Sequence, residues 1–256
     1  MRDLRSHLIE RVQNEKNIVI PYLMAGDGGF DKTAQLLDIF EKSGVSAIEI
    51  GIPFSDPVAD GPVIQAAGLR ALEGGVSLRS TLDFLIKRPA GNAPLVLMTY
   101  LNPIMRIGFE PFLELCKEAH VAGLIIPDLP LEEMEPYSGR CRDAGLALVP
   151  LIAPRTSDSR LHEIAKHTDG YLYAVTVSGI TGSRTQLPTE LPLRLKHLKS
   201  ISQLPVIAGF GIASIEQMKQ LKDSCDGFII GSHLVEMAHQ NQLGEIQSFL
   251  EDAVSL

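Results

Sequence analysis

Positive charge is scarce in this sequence, and so are cysteine and long apolar runs. The 256 residues carry 23 Lys and Arg against 31 Asp and Glu, a formal net charge of −8. A surface that tracks nucleic-acid phosphates needs a basic stripe, so the balance argues against that class of partner. It leaves room for a phosphorylated metabolite held in a local pocket. The three cysteines, Cys116, Cys141 and Cys225, are too scattered for metal-ligand spacing. Their odd number and scatter suit a reducing compartment. No segment approaches the ~18 uninterrupted apolar residues that a membrane span requires. The first residues include Arg2, Asp3, Arg5, His7, Glu10 and Arg11, with no apolar signal-peptide core. The expected location is the cytoplasm. No G-x-G-x-x-G follows the first apolar run, which counts against a dinucleotide site.

What is present is a rhythm. Apolar runs begin near Ile18, Ala47, Leu95, Gly123, Leu146, Tyr171, Pro205 and Gly227. Helix-sized segments such as Phe30–Ser43, Phe109–His120 and Ile215–Lys222 separate most of them. Such alternation reads as βα units around a parallel sheet. Eight units in a chain of this length predict an α/β fold, a closed (β/α)8 TIM barrel over residues 1–256 as a single catalytic domain. An open doubly wound sheet shares the alternation. An extra N-terminal helix is predicted from the spacing of Leu4, Leu8, Ile9 and Val12. Two long segments break the rhythm: Pro53 to Glu73 after strand two, before the next full helix, and Val177 to Pro188 after strand six. In a barrel both lie on the C-terminal face, where active sites sit.

Strand two reads Ala47-Ile48-Glu49-Ile50-Gly51-Ile52. Alternation puts Ile48, Ile50 and Ile52 on the face toward the helices and turns Glu49 into the barrel. A carboxyl group buried there is costly unless paired or employed, and its pKa should rise, which suits a general acid and base. A structural Glu satisfied by backbone donors is the plainer alternative. Three prolines, with Gly61, stiffen the following loop, Pro53 to Pro62, which carries Asp56 and Asp60.

The run IEIGIPFSDPVADGPVIQ, Ile48 to Gln65, resembles the signature of the tryptophan synthase alpha family. Further matches cover nearly the whole chain: PYLMAGD (Pro21–Asp27), MTYLNPI (Met98–Ile104), PDLPLEE (Pro127–Glu133), SGITG (Ser178–Gly182), AGFGI (Ala208–Ile212) and GSHLVE (Gly231–Glu236). The resemblance implies that Glu49 and Asp60 are catalytic and that Tyr173 is the family's tyrosine on strand six. One departure is Gly28-Gly29, where the family commonly has proline after the aspartate.

The implied reaction is a retro-aldol cleavage of indole-3-glycerol phosphate to indole and glyceraldehyde 3-phosphate. The indole carbanion is a poor leaving group, so C3 must be protonated first. The site then needs an acid at C3, a carboxylate at the indole N–H and a base for the neighbouring hydroxyl. Glu49 fits the first and can serve as the last, and Asp60 fits the second. A Schiff-base aldolase would need an inward strand lysine, and every lysine reads as helical or flanking. A metal aldolase would need clustered ligands, yet only His233, of seven histidines, lies near a strand end. No metal and no cofactor are expected on this chain.

The phosphate is expected at backbone N–H groups after strands seven and eight. The candidates there are Phe210 and Gly211 in Gly209-Phe210-Gly211, and Gly231-Ser232, which should open a short helix. Thr181 and Gly182 after strand six should contribute, and the resemblance implies that Thr181 closes on Asp60. Tyr22, Ile125, Leu151, Tyr173 and Phe210, with Tyr100 and Leu101 nearby, are candidates for an apolar indole pocket. Asp128 reads as structural or coupling. The resemblance further implies a partner, a pyridoxal-phosphate beta subunit in an alpha2beta2 assembly, docked on the same barrel face and receiving indole. The alternatives are another phosphate-binding barrel enzyme, such as an epimerase or synthase of sugar phosphates, and a non-catalytic activating subunit.

Overall fold

All strand pairings run parallel. The strands are β1 (Ile18–Met24), β2 (Ile48–Gly51), β3 (Leu95–Met98), β4 (Val121–Ile125), β5 (Ala147–Leu148), β6 (Leu151–Ile152), β7 (Leu172–Val175), β8 (Val206–Gly209) and β9 (Gly227–Ile230). This computed structural model describes residues 3–14, 16–176, 188–209 and 211–256. The strand order is β5-β4-β3-β2-β1-β9-β8-β7-β6. Its two ends are halves of one predicted strand, interrupted at Val149-Pro150. Proline has no N–H to give to a ladder, which splits the strand. The backbone still bridges both neighbours there. Val149 N donates to Leu124 O at 2.8 Å, and Tyr173 N donates to Pro150 O at 3.2 Å. The sheet therefore curls back on itself across the fifth strand, and the arrangement is a (β/α)8 barrel rather than an open sheet.

The helices are α1 (Leu4–Gln13), α2 (Phe30–Lys42), α3 (Pro62–Glu73), α4 (Leu78–Lys87), α5 (Leu101–Ile107), α6 (Phe109–Glu118), α7 (Glu135–Asp143), α8 (Asp158–His167), α9 (Leu191–Ile201), α10 (Ile215–Leu221), α11 (Ser232–His239) and α12 (Leu243–Val254). None of them, among the described residues, is long and apolar enough to cross a membrane. The predicted N-terminal helix is α1, and Asp3 caps it by accepting from the backbone of Arg5 and Ser6. Its buried stripe is narrower than the spacing suggested. Leu4 and Leu8, one turn apart, join the barrel interior, whereas Val12 is exposed.

The pleat sorts the core into two layers. The outer layer, between sheet and helices, holds Ile48, Ile50 and Ile52 with residues such as Leu37, Phe40 and Leu82. The inner layer holds Ile18, Ile20, Tyr22, Val96, Met98, Tyr171, Tyr173, Ile207 and Ile229. Strand parity in β2 is thus as the alternation predicts. The long segment expected from Pro53 to Glu73 is a correction: its second half is helix α3, and only the residues up to Gly61 are loop. Pro62 at the first helical position suits the fixed φ of a helix start, and Ile64 with the small residues Ala67, Gly68 and Ala71 supplies a buried face. The segment from Val177 to 187 lies outside the described residues.

Candidate active site

Glu49 is completely buried, and among the described residues neither of its carboxyl oxygens has a hydrogen-bond partner. Burial first, and then the charge of Asp60, push its pKa up to about 8. A group of this kind is costly to the fold and rarely kept without a task. It opens into a small cavity at the C-terminal mouth, lined by Tyr22, Glu49, Ala59, Asp60, Gly61, Ile64, Met98, Tyr173, Gly211, Gly231 and Ser232. Seven of the residues singled out from sequence therefore meet at one place: Tyr22, Glu49, Asp60, Tyr173, Gly211, Gly231 and Ser232. Thr181, Gly182 and Phe210 lie outside the described residues.

Asp60 is held from two sides. Its backbone carbonyl accepts from Gln65 Nε2 at 2.9 Å, in the first turn of α3. Its carboxylate accepts from the Tyr100 hydroxyl. Tyr100, just past β3, also accepts from Ala59 N at 3.0 Å, and its ring stacks on Phe54 at 5.0 Å between centroids. One side chain thus ties both ends of the loop together. Burial raises the Asp60 pKa to about 6, and the Tyr100 hydrogen bond works against that rise. Burial also pushes the Tyr100 hydroxyl up to about 12. Near neutral pH the pair consists of a protonated Glu49 and an ionised Asp60, an acid and a carboxylate facing one space.

Two glycines make room for two tyrosines. A Cβ on Gly51 would lie 1.8 Å from the Tyr22 hydroxyl, and a Cβ on Gly209 would lie 2.3 Å from the Tyr173 ring. Each ring thus lies across the neighbouring strand inside the barrel. This reassigns Gly209, which the sequence suggested only as a strand end near the phosphate. Of the phosphate candidates beyond it, Gly211 has a φ of +93°, and Gly231 precedes the first turn of α11. Backbone N–H groups of that turn are free of helical partners, so they can meet an anion.

Other expectations need adjustment. Ile125 belongs to the inner core and Leu151 packs beside it, but neither lines the cavity. Leu101 begins α5 and turns to the outer layer. Asp56 is exposed and bonds to Ser55, away from the cavity. Asp128 accepts from Leu101 N at 2.9 Å, a tie between two loops that fits a structural role. Ala59, Gly61, Ile64 and Met98 were missed. Met98 shares inward parity with Val96, so strand alternation could have found it; the others depend on how the loop returns. The Gly28-Gly29 departure has a conformational reason: Gly28 has a φ of +82°, closed to proline. Asp27 beside it takes two 2.7 Å bonds from Arg70 of α3, which anchors this turn to the helix after Asp60.

Against this geometry stand the comparisons. A family model described as "Tryptophan synthase alpha chain" matches residues 8–255. A tryptophan synthase alpha chain of Listeria welshimeri is 47% identical over 250 residues, covering 97% of each chain. One of Oceanobacillus iheyensis is 44% identical, with 96% of this chain and 95% of the relative covered. Among solved structures, the alpha chain of Legionella pneumophila superposes with a TM-score of 0.88 at 33% identity, covering 100% of this chain and 97% of its own. A chain of Mycobacterium tuberculosis tryptophan synthase superposes with a TM-score of 0.90 at 30% identity, covering 98% and 96%.

Proposed function

Because the chain belongs to the tryptophan synthase alpha-chain family, we propose that it cleaves indole-3-glycerol phosphate with Glu49 as the acid at indole C3 and Asp60 as the carboxylate at the indole N–H. The buried Glu49 carboxyl, without a hydrogen-bond partner among the described residues, carries this reading. With its pKa about 8 it holds a proton near neutral pH, while Asp60 at about 6 is ionised. Glu49 gives its proton to C3, and the positive charge that spreads to the ring nitrogen meets the Asp60 carboxylate. The Glu49 carboxylate then takes the proton of the adjacent hydroxyl. The carbon–carbon bond breaks, its electrons restore the indole ring, and the hydroxyl carbon becomes the aldehyde. Glu49 ends protonated, ready for another turnover. Met98, Ile64 and the tyrosine rings provide apolar walls for the indole. Gly211, Gly231 and Ser232 hold the phosphate, and a beta subunit docked on the same face receives the indole.

The experiment is indole release from indole-3-glycerol phosphate by the wild-type chain, Glu49→Gln and Asp60→Asn, with circular dichroism as the folding control. Glu49→Gln should remove cleavage by about 10³-fold or more, and Asp60→Asn by about 10²-fold, the scale of lost acid and charge stabilisation. Near wild-type turnover by folded Glu49→Gln would overturn the assignment of the acid. A loss of less than threefold in Asp60→Asn would make that carboxylate structural.

A further inference from the structure

Tyr22 brings a hydroxyl, as well as a ring, into the cavity. It is the Cα partner of Glu49 across β1 and β2. Its ring leans over β2, so that the hydroxyl occupies the space a side chain at Gly51 would fill. Gly51 shares the inward face of β2 with Glu49, two residues nearer the mouth, on the way to Asp60. The hydroxyl therefore fills the inward position next above Glu49 on β2, on the side of the mouth. In keeping with that placement, Asp60 and Glu49 are the charges acting on it most strongly. Tyr22 is only 5% exposed. Burial and those charges keep the phenol protonated far above its ordinary range. No hydrogen bond to it comes from the described residues. The result is a neutral donor that keeps its proton at any working pH and faces the space the substrate enters.

We propose that Tyr22 is a further substrate-contacting residue, whose hydroxyl donates to the oxygen on the carbon attached to indole C3, the oxygen that becomes the aldehyde. This rests on the reading of Glu49 as acid and then base. In the cleavage step the O–H proton moves to the Glu49 carboxylate. The oxygen's freed electron pair forms the second carbon–oxygen bond, and the carbon–carbon electron pair passes into the ring. Tyr22 keeps its own proton throughout. Negative charge gathers on that oxygen as its proton leaves, and a fixed neutral donor in a water-poor site stabilises it more than it stabilises the resting hydroxyl. The indole N–H needs an acceptor instead, and ionised Asp60 supplies one.

Tyr22→Phe keeps the ring and removes only the donor. The measurements are kcat and KM on indole-3-glycerol phosphate, and the Kd of the analogue lacking the hydroxyl at the carbon attached to C3. With one stabilising donor lost, kcat should fall about 10- to 100-fold. KM should stay within about threefold and the analogue's Kd within about twofold. Unchanged kcat overturns the proposal. So does an equal loss of affinity for the deoxygenated analogue, which would mean that the hydroxyl only packs the pocket. Glu49→Gln assayed alongside separates the two readings. An active Glu49→Gln removes the premise, whereas an inactive one beside a fully active Tyr22→Phe refutes the role of Tyr22 alone.

Discussion

Near neutral pH the two carboxyl groups of the cavity hold opposite protonation states, and activity should follow both. The rate should rise as Asp60 ionises around pH 6 and fall as Glu49 loses its proton around pH 8. A kcat/KM profile on the wild-type chain checks this, and a plateau across both limbs would contradict it. Tyr100→Phe removes the hydrogen bond that opposes the rise in the Asp60 pKa, so the acidic limb should move to higher pH while the basic limb stays. A merely structural Tyr100 would lower the rate without moving either limb. Stability carries the same signature. Folded Glu49 keeps its proton up to about pH 8, against an ordinary value of 4.5. Across that window the folded state binds the extra proton, so stability falls as pH rises, by at most roughly 1.4 kcal/mol per pH unit. Glu49→Gln should therefore raise the Tm, and by more at pH 8 than at pH 5; equal shifts at the two pH values would count against this. Glu49 was legible in the sequence because strand alternation is local and unambiguous. The Tyr100–Asp60 bond was not, because it joins a strand end to a loop through a path that spacing does not encode.

Among the elements, the glycines of the barrel wall divide into those that admit a ring and those proposed to admit an anion. Gly51→Ala puts a methyl group where the Tyr22 hydroxyl stands, so the ring must move. Overpacking of this kind costs about 1–3 kcal/mol. It should also lower kcat through the displaced tyrosine, and thermal melts and turnover measured together test both effects. Unaltered Tm and kcat would mean that the ring has room to retreat. Gly231 is different, because a Cβ there meets Tyr22 at no closer than 3.7 Å. Gly231→Asp should fold, yet weaken binding of glycerol phosphate at least tenfold by setting a carboxylate at the first turn of α11. Unchanged affinity would place the phosphate elsewhere. The glycine-ended strands were visible in the sequence as a class, but their division was not, since it depends on which neighbouring strand carries the tyrosine. Periodicity found the strands and most helices. It missed the break at Pro150 and the early start of α3, because the first rests on a missing N–H within an apolar run. The second rests on small residues, Ala67, Gly68 and Ala71, that carry little hydrophobic signal.

For the whole molecule, the rim of the C-terminal face leaves two large apolar side chains in water. Val58 in the loop after β2 and Met105 in α5 are 77% and 53% exposed. On the same rim, Pro53, Phe54, Ser55, Asn102, Pro103 and Arg106 line an open cleft. Prolines lose little freedom when an interface orders them, so this rim suits a preformed contact surface. It also has a short route to the chemistry. Phe54 stacks on Tyr100, and Tyr100 bonds to Asp60, so pressure on the rim reaches the carboxylate through two side chains. A beta subunit docked here should favour the loop position in which Asp60 meets the indole N–H, and cleavage should rise with occupancy. Val58→Glu and Met105→Glu should each weaken that association at least tenfold, the scale of placing an unpaired charge in an apolar contact. Basal cleavage by the chain alone should remain within about twofold, because neither residue touches the cavity. Tyr100→Phe should do the reverse, leaving association intact and removing most of the activation. Titrating beta subunit from the same source against the three variants, with binding by calorimetry and indole formation followed together, separates these outcomes. Full-strength binding by both glutamate variants would put the interface on another face. Activation that survives in Tyr100→Phe would mean that the partner acts on the site by a route other than Asp60.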